Sequence, residues 1–434
     1  MRSRLLCCDS SLLMRVLLLS TTTGYQLRSF TESAERLGIE LMLATDRCHQ
    51  LDDPWRDGAV AVRFHEEDAS LAAILEAARD RPLGGVLVVG DRPGVLAARV
   101  ADALSLRGNA PLAVDASRNK RLMRQRFAAA DLDGPWVRTI SANDDAATVA
   151  ASARYPCVVK PIAHSGSRGV IRADTPEELR GAIERVRALL ARPAVRAMRT
   201  GLEDELLLEG YIDGREYAIE ALLTAGALRI LAIFDKPDPL VGPFFEETIY
   251  VTPSSASSSV QSAIGATLQR AVAALGLVDG PLHAECRAGD DGVVMLEVAA
   301  RPIGGLCAKV LRFENDGRLI PLEELLLMHA TGADVSPYAR ERQAAGVMMI
   351  PIQTRGIFKG VAGEDLALGI PQVEEVRITA KLDQLLEPLP EGDSYLGFIF
   401  ARAADSERVV AALREAHARL TFRIEREVRL VPTD

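Results

Sequence analysis

The chain has 434 residues, of which 48% are hydrophobic, and this is enough for two or three domains with substantial cores. Its formal net charge of -9 argues against a basic face for nucleic acid. The six cysteines show no zinc or disulfide spacing, which is typical of a reducing cytoplasm. No segment is apolar for long enough to cross a membrane, so we expect a soluble, cytoplasmic protein.

The N-terminal part of the chain alternates short apolar runs with amphipathic segments. Residues 1–13 are predicted to be an irregular leader without the apolar core of a signal peptide. Runs such as RVLLLS and GVLVVG then predict a parallel, doubly wound sheet, and thus a Rossmann-like domain over residues 14–118. The first strand runs into TTTGYQ, which lacks the G-x-G-x-x-G fingerprint of dinucleotide-binding proteins.

Two further domains are predicted downstream. Residues 119–344 contain long strands, a Ser-rich linker (PSSASSS) and a small lobe at about 155–215. Residues 345–434 are predicted to be mostly strands with one helix, SERVVAALREAHARL. The prediction is therefore a multidomain α/β and α+β protein with a small, β-rich C-terminal domain.

A lysine followed by a glycine-rich turn is the first candidate binding element. Lys160 ends the apolar run YPCVVKP, and the turn that follows contains Ser165, Gly166, Ser167 and Gly169. A strand-end lysine can hold phosphate oxygens while backbone N–H groups close over them as a lid. Most strand-end lysines are simply solvated, so this element needs support from the rest of the chain.

Two acidic pairs supply that support. Glu209 and Glu216 lie seven residues apart in LLLEGYIDGREYAIE, where they could accept the amino group of an adenine and the hydroxyls of a ribose. An ordinary acidic hairpin is an equal alternative for this segment alone.

Glu285 and Glu297 lie twelve residues apart around CRAGDDGVVML, which predicts a hairpin with both carboxylates on one face. Such oxygen ligands suit Mg²⁺ bound to nucleotide phosphates, although a solvated acidic face is the alternative.

An ordered set of basic and acidic residues resembles the ATP-grasp superfamily: Lys120, Lys160 with its loop, Glu209, Glu216, Glu285, Glu297 and Arg301. The resemblance covers residues 14 to about 344 and implies an N-terminal α/β domain, a lid and a central domain, with ATP between the last two. It implies the ATP-binding residues Lys120, Lys160, Ser165, Gly166, Ser167, Gly169, Glu209, Gly210, Tyr211, Ile212 and Glu216. It also implies two Mg²⁺ ions on Glu285 and Glu297, with Mn²⁺ as a substitute.

One position departs from the pattern of this family. Many members have an asparagine two residues after the second metal-binding glutamate, where this chain has Ala299. Alternation still places Glu297, Ala299 and Arg301 on one face of the strand. Arg301 is therefore the predicted catalytic residue, stabilising a transferring phosphoryl group or holding a carboxylate. An ion-pair partner for the glutamates is a compatible alternative.

The stretches EVAARPIGG, PDPLVGPFFEETIYVTPS and PLHAECR resemble the L-amino-acid ligase branch of the superfamily. This resemblance implies substrate contacts by Glu247, Tyr250, His283, Arg301, Gly304 and Gly305. Pattern alone leaves open whether Glu246 or Glu247 faces the pocket, and alternation favours Glu247. A structural histidine is an equal alternative for His283.

The resemblance implies ATP-dependent ligation of a carboxylate to an amine through an acyl phosphate, with small molecules as partners and an amino acid as at least one substrate. The stretch GFIFARAADSERVVAALREA also resembles the terminal domain of these ligases, and we expect it to close the pocket or support a homodimer. The alternatives are a carboxylase-like or purine-pathway ligase, and a nucleotide sensor without turnover. A phosphorylated substrate would require basic residues near TTTGYQ, where only Arg28 is found.

Overall fold

The structure is a computed structural model that describes residues 14–21, 25–46 and 59–426. The predicted leader at 1–13 lies outside these residues. Within the described part of the chain, no helix is long and apolar enough to span a bilayer.

A parallel sheet forms the N-terminal domain, with the strand order β3-β2-β1-β4. Its strands are β1 (Arg15–Ser20), β2 (Glu40–Thr45), β3 (Ala59–Ala61) and β4 (Gly85–Val89). Its helices are α1 (Tyr25–Leu37), α2 (Glu67–Ala77), α3 (Gly94–Ala103) and α4 (Pro111–Arg118). Strand β1 is buried along its whole length, and its residues alternate between two hydrophobic clusters. Burial on both faces explains the continuous apolar run RVLLLS.

The small lobe is an antiparallel sheet in the order β5-β8-β6-β7, backed by helices. Helix α5 (Lys120–Ala129) leads into it. The strands are β5 (Val137–Ser141), β6 (Cys157–Pro161), β7 (Ile171–Ala173) and β8 (Glu205–Gly210). The helices are α6 (Ala146–Ala151), α7 (Pro176–Leu190) and α8 (Pro193–Arg196). Because β5 pairs along the whole of β8, this lid sheet begins at Val137, upstream of the predicted lid boundary at 155.

The central domain adds a long antiparallel sheet and the helix that covers it. Its elements are β9 (Arg215–Thr224), β10 (Ala227–Asp235), β11 (Ile249–Thr252), α9 (Ser258–Leu275), β12 (Gly280–Gly289) and β13 (Gly292–Ala299). A short 3₁₀ turn at Cys307–Val310 precedes β14 (Arg312–Asn315), β15 (Arg318–Pro321), α10 (Leu322–Ala330) and β16 (Ala339–Arg340). Helix α9 ends at Gly276, whose φ of 78° is the left-handed conformation that glycine adopts without a steric penalty.

The C-terminal segment continues the central sheet. Its elements are β17 (Ala344–Ile350), β18 (Gly356–Ala362), α11 (Glu364–Leu368), β19 (Val373–Ile378), β20 (Leu385–Leu386), β21 (Gly397–Ala403), α12 (Ser406–Ala418) and β22 (Thr421–Glu425). The central sheet has eight strands in the order β13-β12-β9-β10-β11-β17-β21-β19. The predicted boundary at residue 345 therefore falls inside a hydrogen-bonded sheet, because β17 pairs with β11.

Candidate active site

A cavity of 540 Å³ is lined by residues of the lid sheet, the central sheet and the C-terminal segment. All the predicted site residues line it except Gly169. The backbone N–H of Gly169 donates to the carbonyl of Pro390 at 2.9 Å, so it is not available to the phosphates as predicted. The φ of Gly169 is +74°, and a Cβ there would lie 2.9 Å from the Pro161 ring. Gly169 therefore shapes the loop and ties it to the C-terminal segment.

The hairpin of β12 and β13 places Glu285 directly opposite Glu297, as the sequence predicts. The turn is tighter than predicted, because the pairing continues to Gly289 and Gly292. If the register next to the turn continued along both strands, Glu285 would pair with Leu296. A bulge next to Glu285 shifts the register by one residue and brings the two carboxylates together.

The two hairpin carboxylates fit a divalent cation. Their side chains are 22% and 26% exposed, and both line the cavity. Carboxylate oxygens that project from a rigid sheet are suitable ligands for Mg²⁺. Lys120 Nζ lies 3.3 Å from Glu297 Oε2 and donates to the carbonyl of His164. Ala299 is buried opposite His283 and contributes no oxygen, so the side-chain donors here are the two glutamates.

Glu209 is held between two buried cations, of which the sequence analysis identified one. Its carboxylate accepts hydrogen bonds from Lys160 Nζ and, at 3.0 Å, from Arg124 Nε. Burial alone would raise the pKa of Glu209, but Arg124 and Lys160 lower it to about 2. Arg124 also donates to the carbonyls of Met295 and Leu296, which lie next to the bulge. Arg124 thus links the lid sheet to the hairpin of β12 and β13.

Lys236 lies at the centre of an acidic cluster and had no signal in the sequence. Its Nζ lies 2.7 Å from Glu216 Oε1, 2.5 Å from Glu247 Oε1 and 3.0 Å from Glu285 Oε1. It also lies 4.9 Å from the centre of the Tyr250 ring, a cation–π distance. Burial opposes the charged form, but the three carboxylates raise the pKa of Lys236 well above its ordinary value.

The second oxygen of Glu216 is also occupied. Arg287 Nε donates to Glu216 Oε2 at 2.9 Å, and Arg287 Nη1 donates to the carbonyl of Ile212 at 2.7 Å. The guanidinium of Arg287 lies over the rings of Tyr211 and Phe245. Arg287 was missed by the sequence analysis, although it shares β12 with Glu285. It supports the segment of the cavity wall predicted to contact adenine and ribose.

Glu247 lines the cavity and Glu246 does not. Tyr250 Oη donates to Glu247 Oε1 at 2.7 Å and lies 3.2 Å from Glu285 Oε1. Burial is the main cause of a raised pKa of Glu247, about 7, with Lys236 opposing the rise and Glu285 reinforcing it.

His283 lies between two carboxylates, with Nδ1 at 3.4 Å from Glu220 and Nε2 at 3.6 Å from Glu285. Although burial lowers it, these two contacts raise the pKa of His283 to about 9. The Glu220 carboxylate is fully buried and accepts from the backbone N–H of Ile303 at 3.1 and 3.2 Å. This contact positions the loop that carries Gly304 and Gly305, both of which line the cavity.

Arg301 is engaged by the N-terminal domain. Its Nε and Nη2 donate to the two carboxylate oxygens of Asp91 at 2.7 and 3.0 Å. The direct partner of Arg301 is therefore Asp91, not the hairpin glutamates considered from the sequence. Asp91 follows β4, and the carboxyl ends of parallel strands commonly supply ligand contacts. The position of Asp91 just after an apolar strand was the sequence feature that could have identified it as a site residue.

Comparisons with known proteins agree with this architecture. An ATP-grasp N-terminal domain matches residues 31–108, an ATP-grasp domain matches 153–310, and an L-amino acid ligase C-terminal domain 2 matches 348–425. An L-amino acid ligase from Bacillus licheniformis has a similar structure, with a TM-score of 0.80 and 26% identity over 96% of this chain and 100% of that one. N5-carboxyaminoimidazole ribonucleotide synthetase from Thermotoga maritima shares the fold, with a TM-score of 0.68 and 13% identity over 95% and 100% of the two chains.

Two curated relatives match this chain in sequence. An uncharacterized protein of Sinorhizobium fredii is 25% identical over 85% of this chain and 75% of its own length. An ATP-grasp enzyme of Aspergillus fumigatus is 25% identical over 59% of this chain, which spans less than half (45%) of that relative. The domain matches and the similarity to the L-amino acid ligase structure support carboxylate–amine ligase chemistry. By its domains and its fold, the chain belongs to the L-amino-acid ligase branch of the ATP-grasp superfamily.

Proposed function

We propose that this protein joins an amino acid to a second amino acid or another carboxylate at the expense of ATP. The observation that carries the proposal is the shared cavity of Glu285, Glu297, Arg301 and Glu247. It combines two carboxylates suited to a divalent cation, a guanidinium next to them and a separate carboxylate for an amine. This is the combination required by phosphoryl transfer followed by amide formation.

ATP is proposed to bind between the lid sheet and the central sheet. Lys120 and Lys160 approach the phosphates, and the backbone of Ser165, Gly166 and Ser167 covers them. The carboxylate of Glu209 can accept a further hydrogen bond, because a carboxylate has about four acceptor positions and Arg124 and Lys160 do not fill them all. This remaining position is proposed to accept the adenine amino group, with Gly210, Tyr211 and Ile212 beside the base and Glu216 near the ribose.

The reaction proposed here needs no side-chain nucleophile. A substrate carboxylate oxygen attacks the γ-phosphorus, the bond to ADP breaks, and an acyl phosphate forms. The amine then attacks the acyl carbon, loses a proton and displaces phosphate. Arg301 is proposed to stabilise the transferring group, while Glu285 and Glu297 would hold the divalent cations that neutralise phosphate charge. The cavity residues mainly position charges and exclude water.

The surroundings of Glu247 support an amino acid as a substrate. Cys307, Met349, Tyr395 and Phe398 line the same cavity and present mainly apolar groups. Cys307 and Met349 are in contact, with Sγ and Sδ 3.6 Å apart, and the rings of Tyr395 and Phe398 lie 5.9 Å apart. A carboxylate beside such a wall suits an ammonium group that carries an apolar side chain.

A phosphorylated substrate, as in the purine-pathway alternative, would need additional cations. In the described part of the chain, each lysine and arginine of the cavity wall already has a carboxylate partner: Lys120–Glu297, Lys160–Glu209, Arg287–Glu216 and Arg301–Asp91. Since Lys120 and Lys160 are proposed to contact the ATP phosphates, the described cavity wall has no unpaired lysine or arginine left for a substrate phosphate, which favours substrates without a phosphate group.

The experiment measures ADP release from Mg-ATP with single and paired amino acids and other small carboxylates, and identifies the products by mass spectrometry. We expect ADP release that requires a carboxylate and an amine, together with a new amide mass. Glu297→Ala should abolish both, whereas Asp290→Ala, in the exposed turn of the same hairpin, should leave them unchanged. ATP binding without ADP release for any pair would contradict the proposal.

A further inference from the structure

Among the residues that the structure describes, Lys236 is the cation that contacts three carboxylates with different proposed roles. Glu216 belongs to the nucleotide end of the cavity, Glu247 to the amine subsite and Glu285 to the metal-binding hairpin. Each gives one oxygen to the Lys236 ammonium, at 2.5 to 3.0 Å. One oxygen of each carboxylate lies within 4.8 Å of an oxygen of each of the other two. Three carboxylates this close repel one another strongly unless a cation lies between them.

The other neighbours of the cluster do not replace this ammonium. Arg287 contacts the opposite oxygen of Glu216, and His283 lies 3.6 Å from Glu285. Among the described residues, Lys236 is the cationic ion-pair partner of Glu247. Tyr250 donates a hydrogen bond to Glu247 but carries no charge. Loss of the ammonium would therefore leave Glu247 without a cationic partner among the described residues and increase the repulsion among the three carboxylates.

Lys236 is also rigidly held. Its side chain is 3% exposed, and it follows directly after β10 of the central sheet. The Tyr250 ring covers one side of its ammonium. A lysine side chain has many rotamers in solution, so a fixed and buried ammonium with three anionic partners is pre-organised.

We propose that Lys236 is a positioning residue that holds Glu216, Glu247 and Glu285 together. In this role it prevents a divalent cation from binding among the three carboxylates before the nucleotide binds. The ammonium occupies the space between the three oxygens. A divalent cation at the hairpin is then left with few protein ligands, and the nucleotide phosphates must complete its coordination. Metal binding is thereby coupled to nucleotide binding.

This proposal deepens the proposed function, but its main test needs no turnover. Mn²⁺ binding to the nucleotide-free protein is measured by titration calorimetry and electron paramagnetic resonance at pH 8. Lys236→Met keeps the length of the side chain and removes its charge. We expect Lys236→Met to bind Mn²⁺ at least tenfold more tightly than the wild type. Lys236→Arg, which restores the charge, should return the affinity toward the wild-type value.

The direction of the change separates the proposal from a merely structural role. If Lys236 only stabilised the fold, its loss would weaken Mn²⁺ binding or leave it unchanged, and either result would overturn the proposal. Lys309→Met is the matched control, because Lys309 also combines a carboxylate partner, Glu375, with an aromatic face, yet it does not line the cavity. The Lys309→Met variant should bind Mn²⁺ with the wild-type affinity.

A second variant keeps the test decisive if Lys236→Met folds poorly. The double variant Lys236→Met/Glu247→Gln removes one negative charge together with the positive one, and it should bind Mn²⁺ less tightly than Lys236→Met when folding is checked by circular dichroism. If neither variant folds, the single variant Glu247→Gln is measured instead. Its affinity for Mn²⁺ in the absence of nucleotide should stay within threefold of the wild-type affinity, because the Lys236 ammonium still lies between Glu216 and Glu285. A larger gain there would refute the proposal. Absent ADP release by the wild type would count against the ligase reaction, not against this role.

Discussion

Replacement of Glu209 by glutamine tests how strongly the lid depends on one buried charge. The carboxylate of Glu209 lies between Arg124 and Lys160, and the three side chains are 4 to 8% exposed. Its pKa falls from an ordinary 4.5 to about 2. At about 1.4 kcal/mol per pKa unit, this difference corresponds to about 3 kcal/mol of stability at neutral pH. Glu209→Gln keeps the shape of the side chain and leaves two buried cations without their anion.

The pH dependence of this contribution has a definite sign. A carboxylate with a lowered pKa in the folded state stabilises the protein fully above its unfolded pKa of about 4.5. The contribution is lost as the pH falls through the folded pKa of about 2. The difference in unfolding free energy between the wild type and Glu209→Gln should therefore be constant from pH 8 to 6 and shrink to about 1 kcal/mol near pH 3.

Hydrogen exchange is the appropriate assay, because a multidomain chain does not unfold in a single two-state step. At pH 7, Glu209→Gln should reduce the protection of the amides of β6 and β8 by about 100-fold, since 3 kcal/mol is roughly two factors of ten. Glu205→Gln is the matched control: Glu205 lies on the same strand and pairs with Arg121 at the surface. Loss of this ion pair should lower the stability of the lid sheet by less than 1 kcal/mol. Equal protection in the two variants would refute the reasoning.

Three further predictions concern an ion pair with the lid, a glycine of the C-terminal segment and a buried thiol of the central domain. Glu391→Gln removes a partly exposed ion pair with Arg185 of the lid, worth about 0.5 kcal/mol, so amide exchange in α7 should rise about twofold at low salt and not at 1 M NaCl. Gly363→Ala should lower the stability of the C-terminal strands by about 2 kcal/mol, measured by amide exchange in β18 and β22, because the φ of Gly363 is +91° and a Cβ would lie 2.0 Å from the Arg419 carbonyl. Burial raises the pKa of the Cys307 thiol, so Cys307 should not react with a thiol reagent in the native state at pH 8, and labelling there before unfolding would contradict its burial.

Much of the cavity wall could be predicted from the order and spacing of residues. Lys160 and Glu209 carry signals because they end or follow apolar strands, and these strands pair in the lid sheet. The opposition of Glu285 and Glu297 follows from a twelve-residue spacing around a turn. These are local features, in which sequence separation directly determines geometry.

The tertiary structure decided which charges neutralise one another. Arg124 meets Glu209 from 85 residues away, and Asp91 meets Arg301 across 210 residues. No local period relates such pairs, since they form when separate elements pack. The same holds for the C-terminal strands, whose apolar pattern does not specify that β17 pairs with β11.

The sequence by itself determined the ordered motifs, the alternating N-terminal pattern and the facing glutamates, because each depends on residues close together in the chain. Only the tertiary structure decided that Lys236 would lie among Glu216, Glu247 and Glu285. These four residues come from different strands and a connecting loop. Their electrostatic coupling depends on distances of a few ångströms, and those distances are set by packing between elements and not by spacing along the chain.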